Sequence, residues 1–192
     1  MIRLVALAVA VALLPLSALA QFGDAEAGKR KTASCTTCHG NDGNSAAAAY
    51  PNLAGQTPEY LYKQLKDFKE GKRVSQVMSP MIGFMNDQDM KDISEFFSVQ
   101  SPVRGTFNAD PQLVAQGKKL AQDMVCTSCH QPNFKGLKEF PRVTRQQYNY
   151  TVKQLKDFRD GVRTNDNGTM VPISKSLTDD QIKALAHYLS TL

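Results

Sequence analysis

The chain has 192 residues, of which 42% are hydrophobic, and carries 23 Lys and Arg against 18 Asp and Glu, a net charge of +5. This mild positive charge, without a basic tract interleaved with aromatic residues, argues against a nucleic-acid-binding protein. Beyond an N-terminal apolar run, no segment is apolar enough to span a bilayer, and the remaining length suits one ordinary domain or two small ones.

Residues 1–20 are predicted to be a cleaved signal peptide. A single positive charge, Arg3, precedes an uninterrupted apolar run over 4–14, and the segment ends in Ala18-Leu19-Ala20, a typical cleavage signature. An uncleaved membrane anchor is the alternative, but the run is short of a spanning helix and Pro15 breaks it. The mature chain would therefore begin at Gln21 and be exported.

The rest of the chain is a tandem repeat, which becomes visible when its two Cys-x-x-Cys-His motifs are aligned. Six identical residues, KQLKDF, then fall at 63–68 and at 153–158, and the offset between the halves drifts only from 90 to 92 residues. Two copies at so long a period indicate duplicated domains rather than a solenoid. We predict a first domain at 21–100, a linker at 101–110 and a second domain at 111–192.

In chain order, each half shows a helix before its Cys-x-x-Cys-His motif, an amphipathic helix around KQLKDF and a closing helix. Leu61, Leu65 and Phe68 share one helical face, and Asn86 and Thr178 suit the N-caps of the closing helices. No segment shows sustained period-two alternation, so the fold class is all-α. The predicted helices lie at 25–33, around 61–68 and at 87–97, and then at 112–121, around 152–158 and at 179–189.

The motifs CTTCH and CTSCH are typical of covalent haem attachment. Two thiols separated by two residues can each form a thioether to one haem vinyl group, and the following histidine then lies under the iron. We therefore predict that each half binds one haem c. The predicted residues are Cys35, Cys38 and His39 in the first half and Cys126, Cys129 and His130 in the second.

Three other uses of these cysteines are disfavoured. A structural zinc site would place a second Cys-x-x-Cys typically 15 to 20 residues on, whereas the two pairs here lie in separate repeats. A thioredoxin-like redox pair would need a βαβ context. Ordinary disulfides would not require a histidine after both motifs.

Methionine is predicted as the sixth ligand of each iron. Met78 precedes the start of the first closing helix by nine residues, Met170 precedes the start of the second by nine, and each has a proline two residues later. Met81 and Met85 correspond to Ile173 and Leu177 in the second half, so both are predicted as core residues. A methionine that packs against the porphyrin without bonding the iron remains the alternative.

The remaining histidine, His187, is not predicted as a ligand. Its counterpart in the first half is Glu95, and we interpret it as a surface or interface residue. The carbonyl groups of Pro51 and Pro141 could hold the ligating histidines, or these prolines could merely shape their loops. With His and Met ligands, both positions on each iron are filled, which favours electron transfer over catalysis.

These segments resemble the cytochrome c4 family over essentially the whole mature chain. One half is similar in CTTCHGNDGNSAAAAYPNLAGQ, in YLYKQLKDFKEGKR and in Met78 followed by NDQDMKDISEFF, and its partner half in CTSCH, KQLKDFRDGVRTND and Met170. The resemblance implies two tandem class I cytochrome c domains, each wrapped around one covalently attached haem and packed about a pseudo-twofold axis. The second half is shorter between Met170 and its closing helix than the family pattern leads us to expect.

The resemblance also implies a periplasmic carrier, sometimes associated with the membrane, that delivers electrons from the respiratory chain to a terminal oxidase. Its partners would then be redox proteins. Two alternatives stay open: an electron-transfer subunit of a larger redox complex, and a dihaem enzyme such as a peroxidase or a thiosulfate-oxidising cytochrome. The enzyme needs an open iron or a different ligand on its catalytic haem, and the chain has no spare cysteine to supply one.

Overall fold

The computed structural model describes residues 22–192, so the predicted signal peptide at 1–20 lies outside the described residues. Within 22–192 the secondary structure is helical, and the one β-type pairing is an isolated bridge between Leu137 and Phe140. The predicted all-α class is therefore confirmed. None of the helices in this range is long and apolar enough to cross a membrane.

Over the described residues 22–192, each half contributes five α-helices, and the second adds a single 3-10 turn at Pro132–Phe134. The first half contains α1 Ala25–Lys31, α2 Ala33–His39, α3 Pro58–Lys69, α4 Met78–Ile82 and α5 Asp87–Ser98. The second half contains α6 Pro111–Asp123, α7 Thr127–His130, α8 Tyr148–Arg159, α9 Met170–Lys175 and α10 Asp179–Thr191.

The helix predicted over 25–33 is divided at Thr32. This residue ends α1 and begins α2, and its hydroxyl donates to the carbonyl of Lys29 at 2.9 Å. A threonine side chain that bonds the preceding turn competes with a continuous helix, which explains the break. The predicted caps of the closing helices are confirmed, because Asn86 and Thr178 each form a capping box.

The first and last helices of each half cross at a glycine. A Cβ added to Gly28 would lie 2.0 Å from the carbonyl oxygen of Asp92, and one added to Gly117 would lie 2.0 Å from that of Ala184. Only glycine permits the two backbones to approach this closely. These crossings fix the frame on which both Cys-x-x-Cys-His motifs are mounted.

Each half buries its own apolar core against its closing helix. Phe97 in the first half and Ile182 in the second are 1% and 0% exposed. The KQLKDF helices also turn their aromatic residues inward as predicted, since Phe68 and Phe158 are both buried.

The halves meet through pairs of hydrogen bonds that a pseudo-twofold axis exchanges. Gln56 of the first half accepts from the main-chain nitrogen of Arg142 at 2.6 Å and donates to its carbonyl at 2.8 Å. Gln146, the counterpart of Gln56, accepts from the nitrogen of Asn52 at 2.8 Å and donates to its carbonyl at 3.0 Å. Reciprocal contacts of this kind are the signature of an isologous interface, formed here inside one chain.

Candidate haem sites

The thiols of both motifs are free and carried on short helices. Cys35 and Cys38 lie on α2, Cys126 and Cys129 lie at α7, and none of the four forms a disulfide. Burial raises the pKa of the Cys35 and Cys126 thiols, so both are neutral at pH 7. Both also pack against the apolar core of their own half, which places a hydrophobic group bonded to them within that core.

The two predicted proximal histidines are held identically. The Nδ1 atom of His39 lies 2.9 Å from the carbonyl oxygen of Pro51, and that of His130 lies 2.9 Å from the carbonyl oxygen of Pro141. The predicted contact between each histidine and a proline carbonyl is therefore confirmed. Burial lowers the pKa of both imidazoles, so at pH 7 each is neutral, with its proton on Nδ1 and the Nε2 lone pair available to a metal.

Each predicted axial methionine is the first residue of a short helix. Met78 begins α4, Met170 begins α9, and both side chains are partly buried. The main-chain nitrogen of Met78 donates to the Ser75 hydroxyl at 3.1 Å, and Met78 packs against the same core cluster as Cys35. The thiol pair, the imidazole and the thioether of each half form a donor set that fits one haem c.

The neighbours of these methionines partly follow the prediction. Met85 is 8% exposed and belongs to the first core, while Met81 is partly buried against it. In the second half Leu177 is buried, but Ile173 is 37% exposed and lies outside the core. The repeat therefore conserves the position of Met85 but not the environment of Met81.

His187 is buried rather than on the surface. Its Nδ1 atom accepts a hydrogen bond from the main-chain nitrogen of Asp110 at 3.0 Å, and its ring packs edge-on against Phe107 and Tyr148. It joins the linker to the closing helix, which agrees with the interface alternative and with a non-ligating role. Across residues 22–192, no group of three or more His, Cys, Asp or Glu side chains is arranged to hold a metal ion.

Two arginines that sequence analysis did not single out join the halves beside these sites. Arg73 donates to the Tyr150 hydroxyl at 2.9 Å and to Gln154 at 2.8 Å. Arg163 repeats the arrangement with Tyr60 at 3.1 Å and Gln64 at 2.9 Å. The spacing of Tyr, Gln and Arg is the same in both repeats and could have revealed this network.

The positive charges of both arginines lower the pKa of Tyr60. Burial raises its pKa, but the guanidinium groups of Arg163 and Arg73 outweigh this effect and hold the pKa below its usual value. Arginine therefore lies in this interface as a source of buried positive charge as well as of hydrogen bonds.

The halves differ in backbone strain beside the proximal histidine. Gly40 follows His39 with a φ of 81°, whereas Gln131 follows His130 with a φ of 66° and a ψ of 162°. Three residues further on, Gly43 is replaced by Phe134, which also has a positive φ and fills the second core. The second site therefore holds non-glycine residues in backbone conformations that are unfavourable for residues with a side chain.

Comparisons with known proteins agree with this geometry. The cytochrome c family model matches residues 25–99 and 114–192. Cytochrome c4 of Pseudomonas aeruginosa is 44% identical, over 88% of this chain and 89% of that protein. The crystal structure of reduced recombinant cytochrome c4 from Pseudomonas stutzeri matches with a TM-score of 0.81 at 43% identity, covering 88% of this chain and 99% of that chain. A thiosulfate dehydrogenase electron acceptor from Stutzerimonas stutzeri is 32% identical, over 82% of this chain and 78% of that protein.

Proposed function

Because the chain belongs to the cytochrome c4 family and so is a two-haem electron carrier rather than an enzyme, we propose that it works in the periplasm and donates electrons to a terminal oxidase. The predicted family, fold and pair of covalent haem c groups are confirmed. When bound, each haem c supplies a one-electron ferric–ferrous couple. The residue assignments, the periplasmic location and the oxidase are parts of the proposal.

The observation that carries the proposed ligand assignment is a duplicated geometry, in which each histidine contacts a proline carbonyl and each methionine begins a short helix. We assign His39 and Met78 to one iron and His130 and Met170 to the other. The carbonyl of Pro51 or Pro141 fixes the tautomer and orientation of each imidazole. A thioether opposite an imidazole favours the ferrous state and raises the reduction potential relative to two imidazoles.

Redox titration of the purified protein tests this ligand assignment. Replacing the assigned methionine by alanine should lower one of the two potentials and abolish the Met–Fe(III) charge-transfer band of that site alone. Met81→Ala, three residues from Met78, is the matched control and should leave both bands in place. Two unchanged bands in Met78→Ala or in Met170→Ala would show that the ligand of that site is assigned wrongly.

The uneven distribution of charge supports transient docking through the second half. Residues 22–100 hold 9 Lys and Arg against 10 Asp and Glu, whereas residues 101–192 hold 13 against 8. A positively charged half attracts an acidic partner and accelerates association at low ionic strength. Such steering suits a carrier that must leave its partner after each electron.

Oxygen uptake by membranes of the source organism tests the partner. The reduced protein should support oxygen consumption that slows as the salt concentration rises, and washing with salt should release any protein associated with the membrane. A reduced protein that membranes fail to oxidise would contradict the oxidase assignment.

A second candidate partner comes from the relative that accepts electrons from thiosulfate dehydrogenase. Its similarity covers both halves, so the same arrangement could receive electrons directly from an oxidising enzyme. Stopped-flow reduction by a purified thiosulfate dehydrogenase distinguishes the two candidates. A dedicated acceptor should be reduced much faster by this enzyme than by an unrelated donor of the same potential.

A further inference from the structure

The segment that leads into Met170 is held by the opposite half of the molecule. Asn165, five residues before Met170, is 9% exposed and lies against the KQLKDF helix of the first half. Its side-chain nitrogen donates to the Gln64 oxygen at 3.0 Å and to the Asp67 carboxylate at 2.6 Å. Its carbonyl oxygen accepts from the Lys63 ammonium at 2.8 Å.

These contacts form a closed group of charged and amide side chains, buried except for the partly exposed Lys63. Lys63 also forms a salt bridge with Asp67, which is 5% exposed, so these two side chains neutralise each other's charge. From its own half, Arg163 donates to the Asn165 side-chain oxygen at 2.9 Å. Every polar atom of the Asn165 side chain therefore has a partner, and its position is fixed from both halves.

The fixed asparagine continues directly into the helix that begins at Met170. The carboxylate of the next residue, Asp166, accepts a hydrogen bond from the main-chain nitrogen of Val171 at 2.6 Å. The main-chain carbonyl of Asp166 accepts one from the nitrogen of Thr169 at 3.2 Å. A carboxylate that accepts from a free main-chain nitrogen in the first turn of a helix holds the start of that helix in place. A shift of Asn165 would thus pass through one residue to the helix start where the methionine lies.

The segment before Met78 also contacts the opposite half, through Arg73, but its residue equivalent to Asn165 does not. Ser75, the counterpart of Asn165, exchanges hydrogen bonds with Ser79 and accepts from the main-chain nitrogen of Met78, all within the segment. Lys153, the counterpart of Lys63, pairs with Asp157 and keeps 66% of its side chain exposed. Identical KQLKDF sequences therefore serve different purposes in the two halves.

We propose that Lys63 and Asp67 of the first half, acting through Asn165, are positioning residues for the axial Met170 of the second haem site. The inference rests on the proposed assignment of Met170 as a ligand. Within residues 22–192, Lys153 and Asp157 of the second KQLKDF copy form no matching hydrogen bond with the first half. Loss of these contacts should loosen the Met170 segment and leave the Met78 segment unchanged.

Cyanide binding to the ferric protein measures this loosening, because cyanide enters when the methionine segment opens. We expect Asp67→Asn and Asn165→Ser to speed cyanide binding at the second site by about tenfold or more. Asn165→Ser removes the hydrogen bonds of a buried amide, and Asp67→Asn removes the carboxylate charge that strengthens them and pairs with Lys63. The potential of that site should fall, and its charge-transfer band should disappear at a lower urea concentration. The first site should keep its rate, potential and band.

Asp157→Asn is the matched control, since it makes the same change in the other KQLKDF copy and should alter neither site. Lys63→Ala is a milder variant for the case in which Asp67→Asn fails to fold. The Met78→Ala and Met170→Ala proteins identify which kinetic phase belongs to which site. Equal acceleration at both sites, or no acceleration at either, would overturn the positioning role.

The two possible failures remain distinguishable. If Met170→Ala leaves the second charge-transfer band intact, the ligand assignment fails and the positioning inference fails with it. If Met170→Ala removes the band while Asp67→Asn and Asn165→Ser bind cyanide at the wild-type rate, only the positioning inference is wrong.

Discussion

Replacing Gln131 by glycine should stabilise the second half. Gln131 follows the proximal His130 with a φ of 66° and a ψ of 162°, a region that is essentially restricted to glycine. Holding a side chain there costs of the order of 1–3 kcal/mol. Within residues 22–192 the Gln131 side chain forms no hydrogen bond that would offset this cost, whereas Gly40 occupies the equivalent position in the first half.

The expected gain is smaller than the strain itself. Glycine loses more backbone entropy on folding, which costs roughly 0.5–1 kcal/mol relative to alanine. The free energy of unfolding of the second half should therefore rise by about 1 kcal/mol. For a unit of this size, that corresponds to an increase in Tm of about 4–8 °C if the half unfolds independently.

The assay is urea and thermal unfolding of the two-haem protein, followed by circular dichroism and by the absorbance of each site. The reciprocal variant, Gly40→Gln, is the matched control and should destabilise the first half, since a Cβ there would lie 2.2 Å from the carbonyl oxygen of Asn44. A Gln131→Gly protein no more stable than wild type would refute the assignment of strain to this residue.

Three further predictions concern the frame of the molecule. Gly28→Ala and Gly117→Ala should each lower the urea midpoint of their own half by the equivalent of several kcal/mol, because the added methyl group would lie 2.0 Å from a main-chain oxygen of the crossing helix. Burial raises the pKa of Asp92, but hydrogen bonds from the main chain, Lys31 and a glutamine outweigh burial and hold the pKa below 3.8. A carboxylate with a lowered pKa stabilises the folded state above about pH 4, and this stabilisation is lost as the pH falls through the pKa of the folded state. In Asp92→Asn, acid titration should no longer show this loss of stability in the first half. The second half has alanine at the equivalent position and should be unaffected. Arg163→Leu, which removes hydrogen bonds that cross between the halves, should turn one calorimetric transition into two, and a single transition at the wild-type temperature would contradict it.

The sequence predicted the local positions of the candidate ligands but not the interface between the halves, and the reason is physical. Ligand spacing around Cys35–His39 is dictated by the distance between thioethers and iron, so a short motif contains the chemistry. The offset between repeats placed Met78 and Met170 at equivalent helix starts, which the structure shows. These positions can be predicted from local sequence and from the alignment of the two repeats.

The packing of one half on the other depends on side chains distant in sequence. Arg73 reaches Tyr150 and Gln154 across 77 and 81 positions. The shared spacing of Tyr, Gln and Arg in the two repeats marks these residues, but it does not say that each arginine binds the partners of the opposite half. The hydrogen-bond partner of His187 was not predicted for the same reason, since the bond comes from the linker residue Asp110. Burial of a polar residue by a distant segment leaves no periodic signal along the chain.

The duplicated KQLKDF segment shows how identical sequences become functionally unequal. Its apolar residues perform the same task in both halves, because Phe68 and Phe158 each enter their own core. Its charged residues do not, because their neighbours come from the opposite half, where Asn165 replaces the serine of the first copy. With the proposed ligands, a symmetric frame with a few unequal contacts can therefore give the two haems different potentials, and a difference in potential favours one direction of electron transfer between them.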